Sequence, residues 1–179
     1  MEALENVRVR LLPLTETYYP ELQEVASEPG LVRYSPGTLY TAEGFARYME
    51  KARKDAEMGD SIPFVIYDKA VEKVAGSTRY MRIDRANRVL EIGATWIGSA
   101  FWGTGLNDAV KALMLAQAFG PMGFEKVCFR IDERNIRSRK AVEKLGAVLE
   151  GILRKDVYLD DGFKRNTCMY GILKEAWAG

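Results

Sequence analysis

Trp96-Ile97-Gly98-Ser99-Ala100-Phe101-Trp102-Gly103-Thr104-Gly105-Leu106-Asn107 leads from a β-rich stretch through a glycine-containing turn into a strongly helical one. Before it, residues 89–97 are rich in β-branched and aromatic side chains. After it, Leu106, Ala109, Val110, Leu113 and Ala116 fall at helical spacing until Gly120-Pro121 ends the pattern. A strand end, tight loop and helix start of this kind can aim backbone N–H groups at an anion, and the helix dipole adds to the attraction. Gly103 and Gly105 allow positive φ and close approach of a phosphate to the main chain. The Walker loop is excluded, because Leu106-Asn107 follows Gly105 where Lys-Ser/Thr is required. The pattern G-x-G-x-x-G is excluded too, because its third glycine would fall on Asp108. An ordinary left-handed turn is the blander alternative, and the two glycines alone do not decide against it.

Working outward, residues 62–67, 73–83 and 89–97 form an expected antiparallel meander separated by short polar breaks. Upstream, residues 7–11 alternate like a short strand that Pro13 stops, and 15–26 read as a first helix. Glu28-Pro29-Gly30 and Arg33-Tyr34-Ser35-Pro36-Gly37 read as loop, and Thr41 as the N-cap of a helix to about residue 58. Downstream, 126–131 is an apolar strand and 138–145 a short helix with Gly146 as its C′ residue. Residues 148–158 and 165–173 bracket Asp160-Asp161-Gly162 as a closing hairpin. The expectation is one α+β domain over residues 1–179, built around a single sheet.

Composition narrows the chemistry. The 179 residues carry 26 Lys and Arg against 25 Asp and Glu, and no histidine. The missing histidine excludes Ser-His-Asp and Cys-His catalysis, a histidine base and a His-ligated zinc, and no metal site is expected. At 47% hydrophobic and 28% charged the chain is of ordinary globular composition. Cys128 and Cys168, both in strand-like runs, read as small buried hydrophobes of a reducing compartment. The acidic start MEALENVRVR does not read as a signal peptide, and no membrane span is found, so a cytoplasmic protein with no membrane partner is expected.

A second segment, residues 130–144, joins the next strand to the next helix. It holds Lys or Arg at 130, 134, 137, 139, 140 and 144 against Asp or Glu at 132, 133 and 143, a local excess of positive charge that suits a polyanion. A solvated helix face is the simpler reading of that cluster alone, and Asn135 alone could be just an N-cap. The near-neutral total charge and mixed signs argue against direct nucleic-acid binding.

Taken together, the two segments resemble the GNAT superfamily of acetyl-CoA-dependent N-acetyltransferases, and most closely the subgroup that acetylates the N-terminal amine of ribosomal proteins. Trp102-Gly103-Thr104-Gly105-Leu106-Asn107 looks like the pyrophosphate loop of that family. Asn135-x-x-Ser138-x-x-Ala141-x-Glu143-Lys144-Leu145-Gly146 looks like its second motif, and Glu91-Ile92-Gly93 and Glu150-Gly151 also fit. The likeness spans nearly the whole chain and is strongest from about residue 90 to 173. It implies a mixed, mostly antiparallel central sheet flanked by helices, with acetyl-CoA as co-substrate. Phe101-Trp102 stands where the superfamily often has Gln or Arg, so backbone amides are expected to hold the phosphates.

By the same resemblance, pantetheine pairs with the edge of the strand ending at Thr95, Trp96 and Ile97, and Asn135 bonds it. Trp102, Gly103, Thr104, Gly105, Leu106 and Asn107 form the pyrophosphate loop. Ser138 becomes the candidate general acid, and Arg137, Arg139 and Lys144 contacts for the 3′-phosphate or adenine. Glu91 is the candidate base, acting through water, with Asp84 as the fallback. Strict strand alternation puts Leu90, Ile92, Ala94 and Trp96 on one face and Glu91, Gly93 and Thr95 on the other. The acceptor is a primary amine, either a peptide N-terminus or a small molecule, and the many dimeric relatives make a homodimer an open possibility. A CoA-binding module without turnover and an RNA-associated protein are the competing classes.

Overall fold

Alternating apolar residues and well-placed turns assemble eight strands into one sheet, described for residues 2–177 by a computed structural model. The chain runs β1 (Leu4–Glu5), β2 (Val9–Pro13), α1 (Tyr19–Ala26), α2 (Ala42–Glu57), β3 (Ser61–Asp68), β4 (Lys73–Asp84) and β5 (Val89–Ile97). It continues through α3 (Leu106–Phe119), β6 (Lys126–Asp132), α4 (Ile136–Lys144), β7 (Val148–Tyr158) and β8 (Lys164–Leu173). Spatial order is β1-β2-β3-β4-β5-β6-β8-β7, and β5–β6 is the parallel pair in an otherwise antiparallel sheet. The expected α+β class and the meander are both present.

The N-terminal region differs from its expectation. Pro13 does not stop the strand but closes it, opposite Phe64 of β3. Its missing N–H costs no ladder bond, because β1 on the other side pairs only as far as Leu11. The first helix is split: Glu16–Tyr18 is a 3₁₀ turn, and α1 begins anew with Pro20 in its opening turn. In α4 the helix starts at Ile136 because Asn135 caps it, its Oδ1 accepting from the Ser138 N–H at 3.2 Å.

Two apolar clusters cover the two faces of the sheet. On one face Leu22 and Ala26 of α1 and Phe45 and Met49 of α2 pack with Leu39, Val65 and Trp96. On the other, α3 buries Leu106, Val110, Met114 and Leu115 against Phe64, Tyr80, Leu90, Ile92 and Phe129, and α4 adds Val142.

Two irregularities in β5 position the site. Its ladder with β6 runs from Val89↔Lys126 to Glu91↔Cys128 and stops there, while β6 stays paired with β8 as far as Asp132↔Thr167. Residues 92–97 therefore present an open edge inside the sheet. On the β4 side, Ser77 pairs Trp96 and Arg79 pairs Gly93, so Ala94 and Thr95 oppose Thr78 alone. This is a β-bulge, with Ala94 held at φ +47°. The extra residue overturns the strict alternation expected from sequence. Trp96 lies on the α1–α2 face, away from Leu90 and Ile92, and Thr95 turns to the α3 face.

Gly76 lies under the end of β5, at φ +153°, where a Cβ would meet the Trp96 carbonyl oxygen at 2.0 Å. At Gly30, φ is +80° with nothing nearby, so only the backbone conformation objects to a side chain. Gly76→Ala should lower unfolding free energy by about 3 kcal/mol or more, and Gly30→Ala by only about 1 kcal/mol, as measured by urea denaturation.

Candidate active site

The turn after β5 is built from glycine geometry. Gly98 closes β5 by donating to the Ala75 carbonyl at 2.9 Å, and Ser99–Phe101 forms a 3₁₀ turn. Gly103 at φ +73° and Gly105 at φ +81° then swing the chain into α3, with Gly105 as a left-handed N-cap. Thr104 Oγ1 braces the loop by donating to the Phe101 carbonyl at 2.7 Å. The N–H groups of Gly103, Thr104, Gly105 and Asn107 have no acceptor among the described residues. Those free donors sit at the positive end of a 14-residue helix.

Across the gap, α4 brings its N-terminus toward this loop. The Arg137 guanidinium lies 3.8 Å from the centre of the Trp102 ring, and Trp102 Nε1 donates to the Ile97 carbonyl at 2.8 Å. Ser138 sits half-buried in the first turn of α4. Asn135 spends Oδ1 on capping, so the cap reading of this residue is correct.

Much of the basic cluster is neutralised within the fold. Arg130 pairs with Asp156, Arg134 with Asp132 and Lys144 with Asp108. Arg139 turns inward, donating to the Tyr170 hydroxyl at 3.0 Å and to the Glu133 carbonyl at 3.1 Å. Arg137 and Lys140 alone in this cluster have neither an ion pair nor a charge-assisted hydrogen bond among the described residues.

Glu91 is buried on the α2 face, and its carboxylate is taken by Arg82, which a second bulge in β4 aims across the strand pair. Asp84 caps its own turn, accepting from the Asn87 N–H and Nδ2, and those bonds hold its carboxyl below the usual range. Beside Glu91, Arg79 donates to the Tyr48 hydroxyl at 3.2 Å, and Tyr48 donates to the Ala94 carbonyl at 3.2 Å. Tyr48 thus braces the bulge from one face.

From the opposite face comes Lys111 of α3, which sequence reasoning passed over. It is buried, and its Nζ donates to Thr95 Oγ1 at 2.7 Å. Burial pushes its pKa down to about 7, and no carboxylate lies within ion-pair distance among the described residues. The available signal was a lone lysine between Val110 and Met114 on the apolar stripe of the helix.

A cavity of about 440 Å³ lies between residues 28–40 and the β7–β8 turn. Glu28, Leu31, Leu39, Leu159, Asp160 and Asp161 line much of it. Glu28 also accepts from the Ser99 N–H, which ties the cavity wall to the glycine loop. Asp160 accepts from the Gly37 N–H and the Thr38 hydroxyl, and Arg165 donates to the Tyr34 carbonyl, so the segment is strapped over the hairpin.

A parted parallel pair, a bulged strand and a glycine-capped helix belong to a known class of acyl-transferring domain. The chain belongs to the GNAT family: the Acetyltransferase (GNAT) domain profile matches residues 8–148. It is similar over its full length to an uncharacterized N-acetyltransferase, p20, of Bacillus licheniformis, at 26% identity over 180 residues and all of both chains. YdaF of Bacillus subtilis (strain 168), whose name proposes a ribosomal N-acetyltransferase, is 28% identical over 127 residues, 71% of this chain and 67% of that one. The crystal structure of a GCN5-related N-acetyltransferase from Brucella melitensis superposes with a TM-score of 0.89 at 29% identity, covering 98% of this chain and 80% of that one. Solved structures of the same fold include complexes with acetyl-CoA and with CoA.

Lys111 makes stability pH-dependent with a definite sign. Its folded-state pKa of about 7 lies below the ordinary 10.5, so between those values the unfolded chain binds more protons and stability rises with pH. Lys111→Met removes the burial penalty, which is complete below about pH 7 and gone near 10.5. The gap in melting temperature between Lys111→Met and the parent should be widest at pH 7 or below and close toward pH 10.

Proposed function

We propose that this GNAT domain transfers the acetyl group of acetyl-CoA to a primary amine by direct attack on the thioester, with a protein N-terminal α-amine the favoured acceptor. One observation carries this reading: the open β5 edge at 92–97 leads, through one short turn, to the free amides of Gly103, Thr104, Gly105 and Asn107. An extended pantetheine arm can pair with the backbone of Thr95, Trp96 and Ile97 as an added strand. The pyrophosphate suits the amides from Gly103 to Asn107, with Trp102, Thr104 and Leu106 framing the loop. Asn135 keeps Nδ2 for the pantetheine, because only its Oδ1 is used in capping. Arg137, lying on Trp102, is the best placed cation for the 3′-phosphate or adenine; Arg139 and Lys144 are already engaged within the fold.

The chemistry needs a polarised carbonyl, a neutral amine and a stabilised thiolate. An open β5 amide beside the bulge supplies the first, and the Ser138 hydroxyl, offered to the departing sulfur, the last. Glu91 is tied to Arg82, so little help is available for deprotonating a strongly basic amine. That favours an α-amine. With a pKa near 7.7–8.0 it is about a tenth neutral at pH 7, against roughly 0.04% for a lysine amine near 10.4. The gap is worth about 3.4 kcal/mol. The carboxylates of Glu28, Asp160 and Asp161 suit a cationic acceptor approaching through the 440 Å³ cavity, and a small amine is the alternative.

Two measurements test this. Millimolar CoA should raise the melting temperature, and Gly105→Val should abolish most of the rise because a β-branched residue resists φ +81°. No shift with either CoA or acetyl-CoA would remove the loop assignment. Ser138→Ala should lower kcat at least tenfold, toward the ~10²–10³ loss typical of one transition-state donor, with CoA affinity within a few-fold. A panel of serine-, alanine- and lysine-bearing peptides and polyamines, read by thiol release, identifies the acceptor class.

A further inference from the structure

Where β5 and β6 part, the space between them is bridged from α3 by one buried amine. Lys111 Nζ donates to Thr95 Oγ1 of the β5 bulge and lies 6.0 Å from the ring centre of Phe129, the first β6 residue beyond the last ladder pair. Thr95 Oγ1 in turn lies 2.7 Å from Thr78 Oγ1 on β4, and Thr78 Oγ1 lies 3.5 Å from Met114 Sδ. An ammonium only donates, so with Lys111 charged the hydroxyl chain runs Lys111 to Thr95 to Thr78. A neutral amine can accept, which lets Thr95 turn its proton back.

We propose that Lys111 is a positioning residue for acetyl transfer: through Thr95 it fixes the β5 bulge that faces the thioester, and it holds a cationic donor behind the reacting carbonyl. The proposal rests on the acetyl-transfer reading above. Energetics support it, because a buried charge without a counter-ion is costly and a methionine of similar length would pack there without that cost. Stabilising replacements of this kind, when they reduce activity, mark groups kept for function. The titratable residue on the same face of β4 is Tyr80, whose hydroxyl is occupied by the Met114 carbonyl at 2.7 Å and whose phenol burial pushes up. No charged side chain of β4, β5, β6 or α3 pairs with Lys111 among the described residues, and burial alone lowers its pKa.

The test follows thiol release from acetyl-CoA with a serine-N-terminal peptide, alongside calorimetric Kd values for CoA. Lys111→Met and Thr95→Val should each lower kcat at pH 7 tenfold or more while CoA Kd stays within threefold. The double variant should be no worse than the poorer single one, because both cut the same link. Wild-type kcat should fall on the alkaline side as the ammonium is lost, a limb absent from Lys111→Met, and Lys111→Arg should restore part of the rate. A Lys111→Met kcat within twofold of wild type overturns the proposal, as does a rate loss matched by lost CoA affinity. If wild type binds CoA but leaves the peptide unmodified, the acceptor reading fails instead. Lys111 is then judged by NMR of its ¹³Cε resonance: a titration moved by acetyl-CoA supports the proposal, and an unmoved one overturns it.

Discussion

The early end of the β5–β6 ladder is the constraint on which the rest of the site depends. Three residue pairs hold the strands together, from Val89↔Lys126 to Glu91↔Cys128, and beyond them the sheet stays open. Unpaired backbone groups inside a domain are costly unless something satisfies them. Here the opening sits between two helix N-termini, with α3 entering from β5 and α4 from β6. The split thus exposes an extended backbone edge, and the strand–helix order places a positive helix end on either side of it.

The bulge at Ala94–Thr95 is the second half of the same arrangement. It is clamped from both faces, by Tyr48 donating to the Ala94 carbonyl and by Lys111 donating to the Thr95 hydroxyl. These two contacts link the α2 layer and the α3 layer at the point where the strand carries its irregularity. The bulge is therefore braced by side chains on rigid helices, while residues 28–40 line one wall of the cavity.

Much of this was legible in the chain itself. The loop announced its geometry through Gly103 and Gly105, and the apolar stripe from Leu106 to Ala116 marked the helix that leaves it. The meander was equally plain from β-branched runs and polar breaks. The faces of β5 were not, because a bulge leaves no mark in hydrophobic alternation: Ala94 at φ +47° carries no glycine to betray it. Ion pairing was hidden for a similar reason. That Arg139 turns toward Tyr170, and that Arg82 takes Glu91, depends on strand register rather than local pattern. Lys111 was readable in principle as one charge on an apolar stripe, but a lysine at such a position is ordinarily a snorkelling surface residue.

The strap over the cavity bears on how the molecule comes together. Its bonds join Gly37 to Asp160 and Tyr34 to Arg165, across 123 and 131 residues of chain. The glycine loop, by contrast, is made by neighbours in sequence. Contacts between such distant residues carry the heaviest loop-closure entropy and form late. As the polypeptide emerges from synthesis, the turn and its helix can assemble from segments already present. The cavity wall has to wait for the final hairpin. The geometry of the glycine loop therefore precedes that of the cavity wall in the life of each molecule.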